Sequence, residues 1–237
     1  MALPKIMAPE FTTKIPSTKQ EVKFRPFLVK EEKLLFMAAQ SDDPGDIADA
    51  IAKTLQNCLI TDVDVSTLAA FDLEYMFLQL RSKSVGEVVQ LQMAHRGETE
   101  CKHIHQVEVD LGSIELIFDE DHSNVIKITD DIGVVMRYPG IGDMAEVQKA
   151  VTSEDQMDMF AFATKLITQV YDGENVYDDF TDEELMDFVE SLSNDQFTNI
   201  MQFYDTMPKL RHLIEWTCPE CGETETTVVE GLAGFFT

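Results

Sequence analysis

KFRPFLVKEEKLLFMAAQSDD, residues 23–43, changes from a strand-like to a helix-like pattern along its length. Glu21–Val29 alternates apolar and polar side chains around Pro26. Because proline removes a donor from a strand ladder, this segment predicts an edge strand or an extended segment. A helix is predicted from about Lys30 to Gln40, since two glutamates lie in its first turn, where carboxylates favour the helix dipole. The stretch therefore predicts a strand-to-helix junction.

The same stretch marks a boundary of charge. Residues 1–40 hold seven Lys/Arg against four Asp/Glu, whereas the whole chain of 237 residues has a net charge of −26. Eleven acidic residues and no basic one lie between Lys165 and Lys209. This field disfavours nucleic acid and anionic membranes, because phosphate binding needs clustered Lys and Arg. The acidic region predicts either a solvated surface or a docking face for a basic partner protein.

Three further features place the chain among soluble proteins. Its apolar runs are far shorter than the ~20 residues that cross a bilayer. The opening MALPKIMAPEF lacks the apolar core of a secretory signal. Four cysteines in a chain of this length argue against a disulfide framework. We therefore expect a cytoplasmic protein without a membrane span.

Hydrophobic periodicity predicts an α+β fold that is mostly helical, with two β-hairpins at 88–111 and 210–230. The two hairpins are expected to meet, the second as half of a zinc-ribbon-like module. The predicted regions are an extended N-terminal arm (1–20), a strand plus helical region (21–86), a β-rich region (87–140), an acidic helical region (141–208) and a C-terminal CPECG hairpin packed on the first hairpin (209–237).

Capping signals set the expected helix boundaries. Asp43 before Pro44 predicts one helix start, and Thr181 with Glu184 forms a capping box for another. Ser193 or Asn194 is expected to cap the helix that follows. A longer helix is predicted over Ser153–Tyr171, followed by a loop of sequence DGENVYDDF.

The sharpest local motif is Cys218-Pro-Glu-Cys221-Gly. Two thiolates at this spacing form the knuckle that holds one side of a tetrahedral zinc. The first hairpin offers Cys101 with His105 or His103 to complete a Cys3His site, and it also contains His95. Two unligated thiols in a tight turn are the alternative. A redox pair would need a helix directly after the motif, whereas the pattern here predicts a strand.

No catalytic signature accompanies this motif. The chain has no P-loop, no nucleophile elbow and no H-E-x-x-H zinc motif. The acidic run 178–184 lacks the glycine and closing glutamate spacing of an EF-hand. The sequence therefore predicts that the protein is not an enzyme, and a zinc-dependent or redox enzyme is the alternative from another class.

Three stretches resemble the baseplate hub proteins of T-even-type contractile-tailed phages. They are KFRPFLVKEEKLLFMAAQS (23–41), FDLEYMFLQLRSKSVGE (71–87) and FYDTMPKLRHLIEWTCPECG (203–222). The resemblance covers nearly the whole chain and implies a protein of the hub or a factor in hub assembly. A cytoplasmic chaperone of the tail tape-measure protein, absent from the mature virion, is the alternative that it implies. The resemblance supplies no catalytic residues.

The resemblance also implies partners among other tail or baseplate hub proteins. The expected locations are the host cytoplasm during assembly and the baseplate of the virion. An edge strand accepts a neighbour on its unpaired backbone groups. Phe24, Arg25 and Phe27 at the strand-to-helix junction are therefore the predicted partner-binding residues.

Overall fold

The computed structural model describes residues 7–41, 44–95, 101–143, 146–147 and 156–231. Its helices are α1 (Val29–Ala38), α2 (Pro44–Cys58), α3 (Ala70–Ser84), α4 (Gln156–Lys165), α5 (Asp182–Glu190) and α6 (Asn194–Thr206). Its strands are β1 (Phe11–Lys14), β2 (Glu21–Phe24), β3 (Val88–Ala94), β4 (Ile104–Asp110), β5 (Leu116–Ile117), β6 (Val125–Lys127), β7 (Ile132–Met136), β8 (Ile167–Asp172), β9 (Asn175–Tyr177), β10 (Lys209–Thr217) and β11 (Thr224–Glu230).

When three short 3₁₀ turns (Val65–Thr67, Leu111–Ser113 and Ile141–Asp143) are included, 39% of the described residues are helical and 29% are in strands, so the fold is mixed α+β. The predicted α+β class is confirmed, but the prediction that the chain is mostly helical is not. The described residues divide into two units, one made of 7–117 with 209–231 and the other of 118–208. The predicted cap at Asp43 and the predicted helix start at Ser153 lie outside the described residues, as do residues 96–100 and 232–237.

An antiparallel hairpin opens the first unit. Strand β1 pairs with β2, whose Val22 and Phe24 are buried while Glu21 and Lys23 are exposed. After β1, Ile15 is buried, and Ser17 donates from its amide and its hydroxyl to the buried carboxylate of Asp72 in α3. From Phe11 onwards, the region predicted as an extended arm is therefore a packed hairpin.

The strand-to-helix junction is held by a buried carboxylate. Glu31 is 2% exposed, accepts a hydrogen bond from the Leu28 amide at 2.9 Å and pairs with Arg25 at 3.1 Å. Desolvation opposes its charge, but these hydrogen bonds outweigh it and lower the pKa of Glu31. Strand β2 ends before Pro26, because proline cannot donate to the ladder, and helix α1 begins directly after Leu28.

Helices α2 and α3 supply much of the first unit's core. In α2, Leu55 and Cys58 are buried, whereas Ile47 near the start of the helix is 39% exposed. Helix α3 buries Phe71, Leu73, Met76, Phe77, Leu78 and Leu80. No helix among the described residues is long and apolar enough to span a membrane.

Two more hairpins complete the first unit. Strand β3 pairs antiparallel with β4, and β10 pairs antiparallel with β11. Strand β5 adds to the second hairpin through Leu116 opposite Leu210 and Ile117 opposite Lys209. The hairpins predicted at 88–111 and 210–230 thus form in two separate sheets.

The second unit contains a four-stranded antiparallel sheet of order β6-β7-β8-β9. Its core includes Val134 and Met136 from the sheet and Leu166, Ile200 and Phe203 from the helical part. Gly133 allows close strand packing, since a Cβ there would lie 2.5 Å from the backbone oxygen of Ile126. Both predicted caps form, because the hydroxyls of Thr181 and Ser193 accept from the third residue of their helices.

The predicted helix over Ser153–Tyr171 is wrong beyond Lys165. Ile167–Asp172 is a strand that pairs with β7 and with β9, and Gly173 turns the chain between β8 and β9 with a positive φ of 59°. The segment ITQVY is rich in β-branched and aromatic side chains, which suit a pleated surface. The predicted loop is therefore the turn and second strand of a hairpin.

We predict that Phe24→Ala destabilises the first unit by ~3–5 kcal/mol, because it leaves a cavity in the core. Phe24 is 3% exposed and its ring centroid lies 5.9 Å from that of Phe11. The matched control is Phe36→Ala on α1, where the side chain is 64% exposed; we expect a change below ~0.5 kcal/mol there. Urea unfolding followed by fluorescence of the single tryptophan, Trp216, measures both.

We predict a pH-dependent effect of Asp143→Asn in the second unit. The Arg137 guanidinium donates to both oxygens of Asp143, at 2.6 and 2.9 Å, and lowers the pKa of that carboxyl. A lowered pKa contributes stability that is present above the unfolded value of ~3.9 and is lost as pH falls through the folded value.

The substitution should therefore cost about 1–2 kcal/mol at pH 7 and progressively less below pH ~4. Exposed Asp187→Asn on α5 serves as the control. Urea unfolding followed by far-ultraviolet circular dichroism gives the comparison. An equal cost of Asp143→Asn at pH 7 and at pH 3 would contradict the electrostatic explanation.

Candidate functional site

The tips of the two long hairpins meet in the first unit. His95 directly follows β3, and Cys101 lies shortly before β4. Cys218 and Cys221 lie in the turn between β10 and β11. The Cys218 amide donates to the Glu223 carbonyl at 2.8 Å, and the Gly222 amide donates to the Cys218 carbonyl at 2.9 Å. Gly222 has a φ of +75°, which glycine adopts without strain; the motif therefore closes into a tight turn.

Four ligand-type atoms from these tips converge. The sulfurs of Cys101, Cys218 and Cys221 and a ring nitrogen of His95 all lie within 4.8 Å of one another. The Cys101 and Cys218 sulfurs are 3.8 Å apart, and the Cys221 sulfur is 3.4 Å from His95 Nε2. None of these three cysteines forms a disulfide with another described residue. The arrangement can hold a metal ion that prefers sulfur and nitrogen.

The group is buried on one side and open on the other. Cys218 is fully buried, and the His95 side chain is 1% exposed. Cys101 is half-buried and Cys221 is exposed. Cys221 is therefore the most exposed of the four residues.

The orientation of His95 is set by its second nitrogen. Nδ1 forms a hydrogen bond with the Glu225 carboxylate, so that Nε2 faces the sulfurs. The His95 ring packs 5.1 Å from the ring of Trp216, whose Nε1 donates to Thr227 Oγ1 at 3.1 Å. The tryptophan thus supports the histidine from inside the second hairpin.

The charges of these groups are shifted by their hydrogen bonds. Pairing with Glu225, and then with Cys218, raises the pKa of His95 to about 9. The amide of Cys221, together with His95, lowers the pKa of Cys218 to about 6. These hydrogen bonds outweigh the effect of burial and favour a thiolate at Cys218, which is the form that binds metals.

The structure brings together three of the four predicted ligands, Cys101, Cys218 and Cys221, and adds His95 in place of His105. His105 lies within the ladder of β4, opposite Met93, with its ring stacked 6.2 Å from that of Trp216. Ala94 opposite Ile104 is the last pair of this ladder, so His95 is the first residue beyond it. That position at the tip, where strand alternation ends, is the signal in the sequence that favours His95.

The other histidine considered from sequence, His103, is also outside the group. Its Nδ1 lies 4.0 Å from Glu220 in the opposite turn. A second group of three potential ligands combines His95 with Glu223 and Glu225. His95 Nδ1 faces Glu225. The second group would therefore bind an ion through Nδ1, whereas the group with the three cysteines would use Nε2.

The predicted partner-binding residues take part in internal packing. Phe24 is in the core, and Arg25 is engaged by Glu31 and by the Asn57 carbonyl. Phe27 is half-buried, and its amide donates to Ser84 Oγ at 3.0 Å. The exposed apolar side chains of this stretch lie further along, at Leu28 and on α1.

The family model described as T4 bacteriophage base plate protein matches residues 8–237 of this chain. Neither the comparison with curated proteins nor the comparison with solved structures yields a match.

Proposed function

The chain belongs to the T4 bacteriophage base plate protein family, and on that premise we propose that it acts in the baseplate hub or in its assembly. It does so without catalysing a reaction, by binding other tail or hub proteins in the host cytoplasm and in the virion. The family match over 8–237 carries this proposal. The net charge of −26 supports protein partners rather than nucleic acid.

An apolar face on α1 supports a contact with another protein. Val29, Phe36 and Met37 recur at helical spacing and are 79%, 64% and 61% exposed. Lys30 and Lys33 are exposed beside them, in the most basic part of the chain. A surface of this kind fits an apolar patch edged by acidic side chains on a neighbouring tail protein.

A groove in the second unit favours the second candidate, a chaperone of the tape-measure protein. The groove has a volume of about 700 Å³ and is lined by Met157, Met159, Phe160, Phe197 and Met201, among others. Met-rich surfaces adapt to different apolar side chains. The sequence around it carries eleven acidic residues and no basic one between Lys165 and Lys209. An amphipathic helix with basic flanks suits such a groove.

Quantitative mass spectrometry of purified virions separates the two candidates. For a hub component, we predict peptides of this chain in mature particles at a fixed ratio to other baseplate proteins. A chaperone would be abundant in infected cells and absent from finished particles. The control is a structural tail protein measured in the same samples.

We also predict that Phe36→Asp combined with Met37→Asp weakens binding to the partner tail protein at least about tenfold, since two apolar contacts are replaced by charges. The variants are co-expressed with individual tail and hub proteins of the same phage and compared by pull-down and titration. Val176→Asp is the matched control, because this exposed apolar residue lies in the other unit. Unchanged circular dichroism verifies folding. Equal binding by the double variant and the control would remove α1 as the contact surface.

A further inference from the structure

We propose that His95 Nε2 and the sulfurs of Cys101, Cys218 and Cys221 bind one structural zinc ion. Two sulfurs that share a tetrahedral zinc at about 2.3 Å lie about 3.8 Å apart, and Cys101 and Cys218 are separated by 3.8 Å. A sulfur and an imidazole nitrogen on the same ion lie about 3.6 Å apart, and Cys221 and His95 are separated by 3.4 Å. These two distances match a tetrahedral ion, and all four donor atoms lie within 4.8 Å of one another.

The donor set selects zinc among common divalent ions. Three thiolates and one imidazole suit zinc, whereas magnesium and calcium prefer oxygen ligands. Four protein ligands complete a tetrahedron and leave no position for water or substrate, which is the pattern of a structural site. The alternative group of His95, Glu223 and Glu225 has two carboxylates and three ligands in all, so it is the poorer zinc site.

Glu225 acts as a positioning residue. Its carboxylate accepts from Nδ1 of His95, so that Nε2 faces the sulfurs and is the nitrogen that would ligate the ion after losing its proton. A carboxylate behind a ligating histidine fixes the ring and its tautomer, and it typically improves metal affinity 10–100-fold.

The zinc would join two hairpins that are far apart in the chain. His95 and Cys101 come from the tip of β3–β4, while Cys218 and Cys221 come from the turn of β10–β11, and the two hairpins belong to different sheets. No described hydrogen-bond ladder links these two sheets. One ion with two ligands from each tip supplies that cross-link, independently of the function proposed above.

The first test is the zinc content of the full-length protein. Protein reconstituted with zinc in reducing buffer is dialysed and analysed for metal, and we expect one zinc per chain. Cys221→Ser and His95→Gln should lose most of this zinc. Cys58→Ala and His105→Gln are matched controls, since Cys58 lies in α2 away from the group and His105 lies within the β4 ladder. No zinc in the wild type, or loss in His105→Gln with retention in His95→Gln, would overturn the proposal.

The second test uses the unaltered protein, so it holds even where a ligand variant fails to fold. Cobalt(II) replaces zinc in tetrahedral thiolate sites and shows intense thiolate charge-transfer and tetrahedral bands. We expect both kinds of band in the cobalt-loaded protein, and we expect them to disappear as added zinc displaces the cobalt. Bands typical of octahedral oxygen ligation would assign the metal to His95, Glu223 and Glu225 and overturn the thiolate site.

Glu225→Gln tests the positioning role. We expect zinc affinity to fall 10–100-fold while the cobalt spectrum keeps its shape, because the four ligands are unchanged. An unchanged affinity would overturn the role of Glu225.

Removal of the zinc by a chelator should lower the urea concentration at the unfolding midpoint, as reported by Trp216 fluorescence. The reason is that an ion bound only to the native state stabilises that state. An unshifted midpoint would overturn the structural role of the zinc.

Discussion

The pairing of β5 with β10 is the contact on which the first unit depends. Leu116 and Ile117 pair with Leu210 and Lys209, at the two points where the chain leaves and re-enters this unit. Residues 118–208, which form the second unit, are the part of the chain that connects these two points. The entropic cost of closing a loop grows only with the logarithm of its length, so a folded unit can occupy this position. This pairing fixes the start of β10, while the contact of Trp216 with His95 places the far end of the second hairpin beside the first.

Because the donor atoms come from two hairpins, the cysteine motif by itself does not predict a complete metal site. Cys218 and Cys221 form a tight turn by local hydrogen bonds, but this turn supplies only two of the four donor atoms of the proposed zinc site. The other half comes from a hairpin tip more than a hundred residues earlier, held in register by the pairs from Val88–Asp110 to Ala94–Ile104. Trp216 packs against His95 from the second hairpin. The site therefore depends on two separate strand registers.

Charge and apolar exposure are distributed unevenly between the two units. The basic N-terminal segment ends in α1, which exposes apolar side chains beside lysines, whereas the second unit combines an acidic sequence with a methionine-lined groove. Buried charges inside each unit are compensated by named partners, Glu31 by Arg25 and Asp143 by Arg137. Because an unpaired buried charge is costly, these pairs restrict how each unit packs. The exposed apolar side chains of α1 and the lining of the groove do not belong to these pairs.

Several features could be predicted from sequence because they depend on neighbouring residues. Period-two alternation located both long hairpins, Pro26 ended β2, and the hydroxyls of Thr181 and Ser193 capped their helices. The resemblance to baseplate proteins also rests on contiguous stretches. Tertiary structure alone decided the rest. Strand pairing with β7 made Ile167–Asp172 a strand, and packing against β1 placed Phe24 in the core. The ladder ending at Ala94 brought His95, and not His105, to the three cysteines. A local sequence pattern indicates which secondary structure a segment prefers. The distance between donor atoms on two hairpins depends instead on the strand register of each hairpin and on how the hairpins pack, and neither is encoded in one segment alone.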